Sequence, residues 1–159
     1  MICGIDPGAS GALALLSDAG ALLEVADVPT VEVGGKKRIS APMLAALIRS
    51  WGPGRAMVEA VGAMPGQGLS STFQFGYSAG ILEGALAMAG VPVSFVRPAD
   101  WKRTMRVTAD KGSSRLMAQR LWPDHAGHFA RVKDDGRAEA ALIALYGLQA
   151  EGKAARGAT

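Results

Sequence analysis

The chain has 159 residues, enough for one domain with a buried core, and 49% of them are hydrophobic against 19% charged, which excludes a disordered tail. The formal net charge is +3, and a single cysteine, Cys3, excludes an internal disulfide framework and a cysteine-rich zinc site. No run of about 18 uncharged apolar residues is long enough to span a bilayer. The opening Met1-Ile-Cys-Gly-Ile-Asp6 lacks the basic start of a secretory signal, so a cytoplasmic protein is expected.

Glycine and proline divide the chain into short elements. An apolar strand over 1–5 is closed by Pro7 and Gly8, a second is expected over 11–16, and a third over 22–28 ends at Pro29. These three suggest an antiparallel meander. Gly34 to Arg38 reads as an exposed basic loop. Ser40 precedes a helix with apolar residues at Met43, Leu44, Leu47, Ile48 and Trp51 and Pro42 in its first turn. Residues 55–61 form a buried-strand pattern holding one charge, Glu59. A Gly/Pro-rich loop over 62–68 leads to a helix over 71–89, a strand over 92–96 and a helix over 110–121. A last helix is expected over 136–148. A meander followed by strand–helix alternation predicts an α/β protein with a mixed five-stranded central sheet flanked by helices. A single domain is expected over 1–150, with a frayed tail over 151–159.

Charge is unevenly spread. Between Arg97 and Arg120 stand seven basic residues and two acids, a segment of +5 in a chain of +3, so the remainder is −2. Such a segment fits either a polyanion footprint or a solvated helix face.

Carboxylates in apolar surroundings need a reason. Asp6 ends the first strand, Glu59 sits in an otherwise apolar one, and Asp134, Asp135 and Glu139 cluster at the start of the last helix, with Asp135 and Glu139 on one face. Taken singly, Asp6 also fits a turn, Glu59 a buried ion pair, and Asp134 and Asp135 a helix cap. Brought together they would need a cation, and an all-oxygen donor set suits Mg²⁺ or Mn²⁺.

Gly4-Ile-Asp-Pro-Gly8 with Gly11-Ala-Leu-Ala14, then Val58-Glu-Ala-Val61, Lys102, Ala109-Asp-Lys111 and Lys133-Asp-Asp-Gly-Arg-Ala-Glu139 resemble, in order, the RuvC-type Holliday junction resolvases of the RNase H-like superfamily. The resemblance spans roughly residues 1–148. Val61-Gly-Ala-Met-Pro-Gly-Gln-Gly68 and the closing motif look closest to short RuvC-like proteins of phages and prophages. It implies an RNase H-like fold and a Mg²⁺-dependent endonuclease that cuts branched DNA by two-metal hydrolysis, leaving a 5′-phosphate. Asp6, Glu59, Asp135 and Glu139 would be the catalytic and metal-holding acids, Asp6 bridging two metals, with Mn²⁺ able to replace Mg²⁺. The family commonly has Asp or His three residues before its last acid, where this chain has Gly136. Asp135 takes the role, with Asp134 the alternate. Lys102 and Lys111 match basic residues near the scissile phosphate. Lys36, Lys37 and Arg38 would add backbone contacts, and Phe73, or its neighbour Phe75, would stack on an unpaired base. Gly76, Gly80 and Gly84 leave one helix face without side chains, and the resemblance implies a homodimer across it. Packing of that face on the chain's own sheet is the alternative. The expected partner is a four-way DNA junction, with no membrane and no nucleotide cofactor. Flaps, forks or RNA–DNA hybrids are alternative substrates, and a non-catalytic branched-DNA binder is the alternative class. His125 and His128 are read as a surface loop.

Overall fold

The computed structural model describes residues 1–60, 62, 66, 68–108 and 110–157. Val61, Ala63, Met64, Pro65, Gln67 and Ala109, on which part of the resemblance was quoted, lie outside the described residues, as does the side chain of Lys111.

Among the described residues the elements follow in the order β1 (Ile2–Asp6), β2 (Ala12–Leu16), β3 (Leu22–Asp27), β4 (Thr30–Val33), β5 (Lys36–Ile39), α1 (Ala41–Trp51), β6 (Arg55–Glu59), α2 (Leu69–Met88), β7 (Val93–Val96), α3 (Pro98–Met105), α4 (Lys111–Leu121) and α5 (Asp135–Gly157). Two 3₁₀ segments, Pro123–Phe129 and Val132–Asp134, join α4 to α5. The main sheet has the order β3-β2-β1-β6-β7. β1, β2 and β3 pair antiparallel, while β1–β6 and β6–β7 pair parallel. This is the mixed five-stranded sheet, opening on an antiparallel meander, that the sequence predicts.

Side chains alternate across a strand, and here the two sheet faces feed two cores. Ile2, Ala12, Ala14, Leu16 and Met57 join Trp101 and the alanines of α5 on one face. Cys3, Ile5, Leu13, Leu15, Ala56 and Val58 join Leu44, Ile48, Leu82 and Leu86 of α1 and α2 on the other. Burial in that second core pushes the Cys3 thiol up to about 12, so it is a packing residue rather than a nucleophile.

Position Gly4 sets how closely α5 approaches. A Cβ there would collide with the Ala140 carbonyl oxygen and the Ala144 backbone nitrogen, and would lie 2.8 Å from the Ala144 Cβ. With Ala138, Ala140, Ala141 and Ala144 all buried, the helix lies almost directly on β1. At the far end of the sheet Arg55 ties the chain together, bonding Glu151 of α5 at 2.6 Å and Asp18 at 3.0 Å.

Three elements differ from the sequence reading. The segment read as a basic loop is half of a hairpin, β4–β5, turned by Gly34 and Gly35 with φ of 58° and 72°. Two successive positive φ values are what a two-residue turn between twisted strands requires. The stretch 98–105, assigned no element, is a helix with Pro98 at its start and Asp100 in its first turn. The last helix continues nine residues beyond the expected Leu148, to Gly157. No helix is long and apolar enough to cross a membrane among the described residues.

Candidate active site

Four elements converge on the ends of β1 and β6. Ile2 faces α5, so Gly4 and Asp6, two and four residues on, face it too; on β6, Met57 and then Glu59 follow the same rule. Gly4 pairs with Met57 and Ile5 with Val58, so the parallel register brings Asp6 and Glu59 to adjacent strand ends on one face. The start of α5 lies over that face and carries Asp135 and, one turn later, Glu139.

Asp6, Asp135 and Glu139 line a single cleft of about 510 Å³, with the turn from Pro7 to Gly11 on one wall and Phe75, Lys133 and Gly136 on the other. Glu59 stands beside it and feels the charge of Glu139. Burial, then, is the largest influence on Glu59 and pushes its carboxyl above the usual range; the Trp101 hydrogen bond pulls it back, Glu139 raises it, and Lys102 lowers it.

Two helices present consecutive residues to this group. On α3, the indole Nε1–H of fully buried Trp101 donates to Glu59 Oε1 at 2.8 Å, while the next residue, Lys102, sets its Nζ 3.2 Å from Glu139 Oε1. On α4, the Ser114 hydroxyl donates to the same Glu139 oxygen at 3.4 Å, and the next residue, Arg115, donates through Nε to Asp135 Oδ1 at 2.8 Å. Each of the three acids Glu59, Asp135 and Glu139 is thus oriented by a donor on a neighbouring helix. The side chains of Lys102, Glu139, Arg115 and Asp135 are 15 to 26% exposed, so these pairs are shielded in a way that surface pairs are not.

Gly136 has a steric reason for being glycine. A Cβ at this position would lie 2.9 Å from Asp6 Oδ2 and 3.1 Å from the Ser10 carbonyl oxygen. An acid or histidine cannot be housed there while Asp6 keeps its place, and the residue that reaches the cleft is Asp135. Asp134 turns elsewhere. Its buried carboxylate accepts from the Arg131 backbone at 2.8 Å and from the Arg131 guanidinium, which holds it below the usual carboxylate range. Asp134 thereby caps the start of the second 3₁₀ segment, whose N-cap residue is Arg131.

Much of the basic segment is committed internally. Of its seven cations, Arg97 and Arg103 pair with Asp100, Lys102 with Glu139 and Arg115 with Asp135. Lys111 opens α4 beyond Asp110, which caps the helix by accepting from the Gly112 N–H at 3.3 Å. Lys36, Lys37 and Arg38 lie exposed on β5, and Phe73 is 66% exposed on α2, stacked on Tyr77 at 6.3 Å rather than lining the acid cleft. The aromatic residue at the cleft is Phe75. His125 and His128 lie in the first 3₁₀ segment, stack on each other at 6.1 Å and do not line the cleft.

Sequence reasoning missed Trp101, Arg115, Ser114 and Lys133. Pro98 followed by Asp100 was a usable helix-start signal for α3, and Trp101-Lys102 then falls one turn in. Nothing in the sequence pairs Arg115 with Asp135 across 20 residues.

No protein-family model and no curated protein sequence matches the chain. Among solved structures it is similar to Thermus thermophilus RuvC in complex with a Holliday junction substrate, with a TM-score of 0.67 and 94% of each chain covered at 21% identity. The fold is that of RuvC. A second Thermus thermophilus RuvC structure superposes with a TM-score of 0.61 over 96% of both chains at 20% identity. Within this RuvC-like fold, the cleft lies where the central strands β1 and β6 meet the start of α5.

The four acids offer only carboxylate oxygens, the ligands that Mg²⁺ and Mn²⁺ prefer, and three of the four line one cleft. As the side chains lie, no three Asp, Glu, His or Cys groups among the described residues form a closed cage. Two of these acids are held in ion pairs, Glu139 with Lys102 and Asp135 with Arg115. The set fits such a cation in its donor chemistry.

Proposed function

We propose that the chain is a metal-dependent endonuclease that resolves four-way or other branched DNA junctions. The observation that carries this reading is the gathering of Asp6, Asp135 and Glu139 on one cleft, with Glu59 beside it, in a chain with the RuvC fold. Half-buried carboxylates oppose DNA binding by plain electrostatics, so a binding module would gain nothing from them.

Asp6, Glu59, Asp135 and Glu139 would hold Mg²⁺ or Mn²⁺, two ions per site. When bound, the ions supply activation of water and charge stabilisation at a phosphodiester. Trp101 keeps Glu59 aimed at the cleft, and Ser114 does the same for Glu139. Lys102, released from Glu139, becomes a cation at the edge of the cleft suited to a phosphate oxygen. Lys133 adds an exposed cation to the wall. Lys111 belongs to the same role by its place at the start of α4. Phe75, which lines the cleft, and Phe73, exposed on another face of α2, are the aromatic surfaces offered to an unpaired base.

Cutting a junction symmetrically calls for two sites, and a second copy of this chain supplies the other. The outer face of α2 supports that pairing. A Cβ at Gly76, Gly80 or Gly84 would meet nothing within 4 Å, so these glycines do not pack on the chain's own sheet. They lie beside exposed Leu69, Phe73, Tyr77 and Met88, and an apolar groove of about 340 Å³ runs between α1 and α2 past Gly80, Ile81 and Gly84.

The test is cleavage of a labelled synthetic four-way junction with Mg²⁺ or Mn²⁺, beside linear duplex, flap and RNA–DNA hybrid of matched length. Paired symmetric nicks in the junction are expected, lost by a factor of at least about 10³ in Asp6→Asn and Glu59→Gln. Cutting of the flap or hybrid alone would move the substrate elsewhere, and binding without cutting under either metal would refute the enzyme.

A further inference from the structure

Next to the acid cleft lies a second one, of about 380 Å³, between the β4–β5 hairpin and the amino-terminal half of α2. It presents Lys36 and Lys37 from the hairpin and Ser71, Gln74 and Ser78 from the helix. Gly8, Ala9 and Phe75 belong to both clefts, so the two are continuous across the β1–β2 turn.

The charges of the two clefts are opposite in kind. Around the acids, Lys102 and Arg115 are neutralised by carboxylates. Neither Lys36 nor Lys37 has an ion-pair partner within 4.0 Å among the described residues, although Glu32 is the cross-strand neighbour of Lys37. Two lysines without ion pairs beside two hydroxyl residues and an amide give the lining a set of hydrogen-bond donors suited to an oxyanion. A single small anion would not need a trough that opens into a second site. A phosphodiester chain would, because each successive phosphate needs its own donors.

The hairpin is held in place. Its turn is the tight two-residue form, and the Arg38 guanidinium lies 5.9 Å from the centre of the Tyr77 ring, fastening β5 to α2. Tyr77 in turn stacks on Phe73. Arg38, expected from the sequence to touch DNA along with the two lysines, is exposed on β5 and lies over the Tyr77 ring.

We propose that Lys36 and Lys37, with Ser71, Gln74 and Ser78, form a phosphodiester-binding cleft that grips the nucleic-acid strand as it leaves the acid cleft, and that Arg38 is the positioning residue that seats the hairpin. This rests on the reading of the acid cleft as a nucleic-acid site.

Binding of a fluorescent four-way junction in EDTA, measured between 50 and 200 mM KCl, tests it without cleavage. Each phosphate contact contributes about 0.9 to the slope of log affinity against log salt for B-form DNA. Lys36→Gln/Lys37→Gln is expected to lower that slope by about two, with Lys153→Gln, at the opposite end of the sheet, leaving it unchanged. Arg38→Met is expected to weaken binding in the native background and to add little in the double-lysine variant, because it acts through the same two lysines. An unchanged slope in the double-lysine variant overturns the second cleft, and a fully additive Arg38→Met effect overturns the positioning role. Failure of the nuclease reading looks different. There the wild-type protein cuts no substrate with metal, whatever the salt slope does, whereas active junction cutting with an unchanged slope refutes the second cleft alone.

Discussion

Glu59 shows how one residue is prepared for a charged task in an apolar strand. Burial alone would leave it protonated more readily than an ordinary carboxyl, and the main counterweight is a neutral donor, the Trp101 indole N–H. A neutral donor orients the carboxylate without cancelling its charge, which a paired cation would do. Trp101→Phe removes the N–H together with part of the ring volume of a fully buried side chain, so its melting temperature is measured alongside. A hydrogen bond to a charged group contributes about 1.5–3 kcal/mol, so Mn²⁺ binding and cleavage are each expected to fall by about 10- to 100-fold in a protein that still folds. The sign of the pH effect follows from the same bond. A cation binds the ionised carboxylate, so affinity falls as pH drops through the raised value of Glu59. Losing the donor raises that value further, so the fall should move to higher pH in Trp101→Phe, as read by Mn²⁺ titration across pH. Equal affinity and an unmoved profile would mean the indole only fills space.

At the scale of elements, α3 and α4 act as paired struts, each giving two consecutive residues to the acids on β6 and α5. The strands and the long helices were legible in the sequence because each buries a face in a regular period: Cys3 and Ile5 on β1, or Leu44 and Ile48 on α1. The hairpin was not, since Val31 and Val33 are exposed and the pattern has no buried face to report. Gly34-Gly35 between Thr-Val-Glu-Val and Lys-Lys-Arg-Ile was the available signal, and the run of charge outweighed it. Asp6, Glu59 and the carboxyl-terminal acids stood out as charges in apolar runs. Their helix-borne donors did not, because contacts such as Arg115 to Asp135 are made by the fold and leave no local trace. The face of α2 carries a prediction of its own. Gly80 has open space where a side chain would go, so Gly80→Glu should leave the monomer's melting temperature within a degree or two while placing charges in the groove of a pair. Sedimentation equilibrium is expected to show a dimer for the native chain and a monomer for this variant. A monomer in both would remove α2 as the pairing surface.

Across the whole molecule, one sheet separates two jobs. The face toward α1 and α2 is filled by Cys3, Ile5, Leu13 and Val58 and holds the fold together. The face toward α5 begins as core at Ile2 and Met57 and ends at Asp6 in the cleft and Glu59 beside it, only because the same alternation carries both strands further. The close approach that Gly4 and Gly136 permit is what sets Asp135 and Glu139 over those strand ends. All of this bears on whether the four acids act as one cation site. The direct measurement is Mn²⁺ binding to the DNA-free protein by calorimetric titration or by the loss of the free-ion paramagnetic signal. Saturable binding is expected in the native chain and is expected to weaken at least tenfold in both Asp6→Asn and Glu139→Gln, with the fold intact by circular dichroism. Absence of Mn²⁺ binding in the native chain, or equal binding in all three proteins, would contradict it.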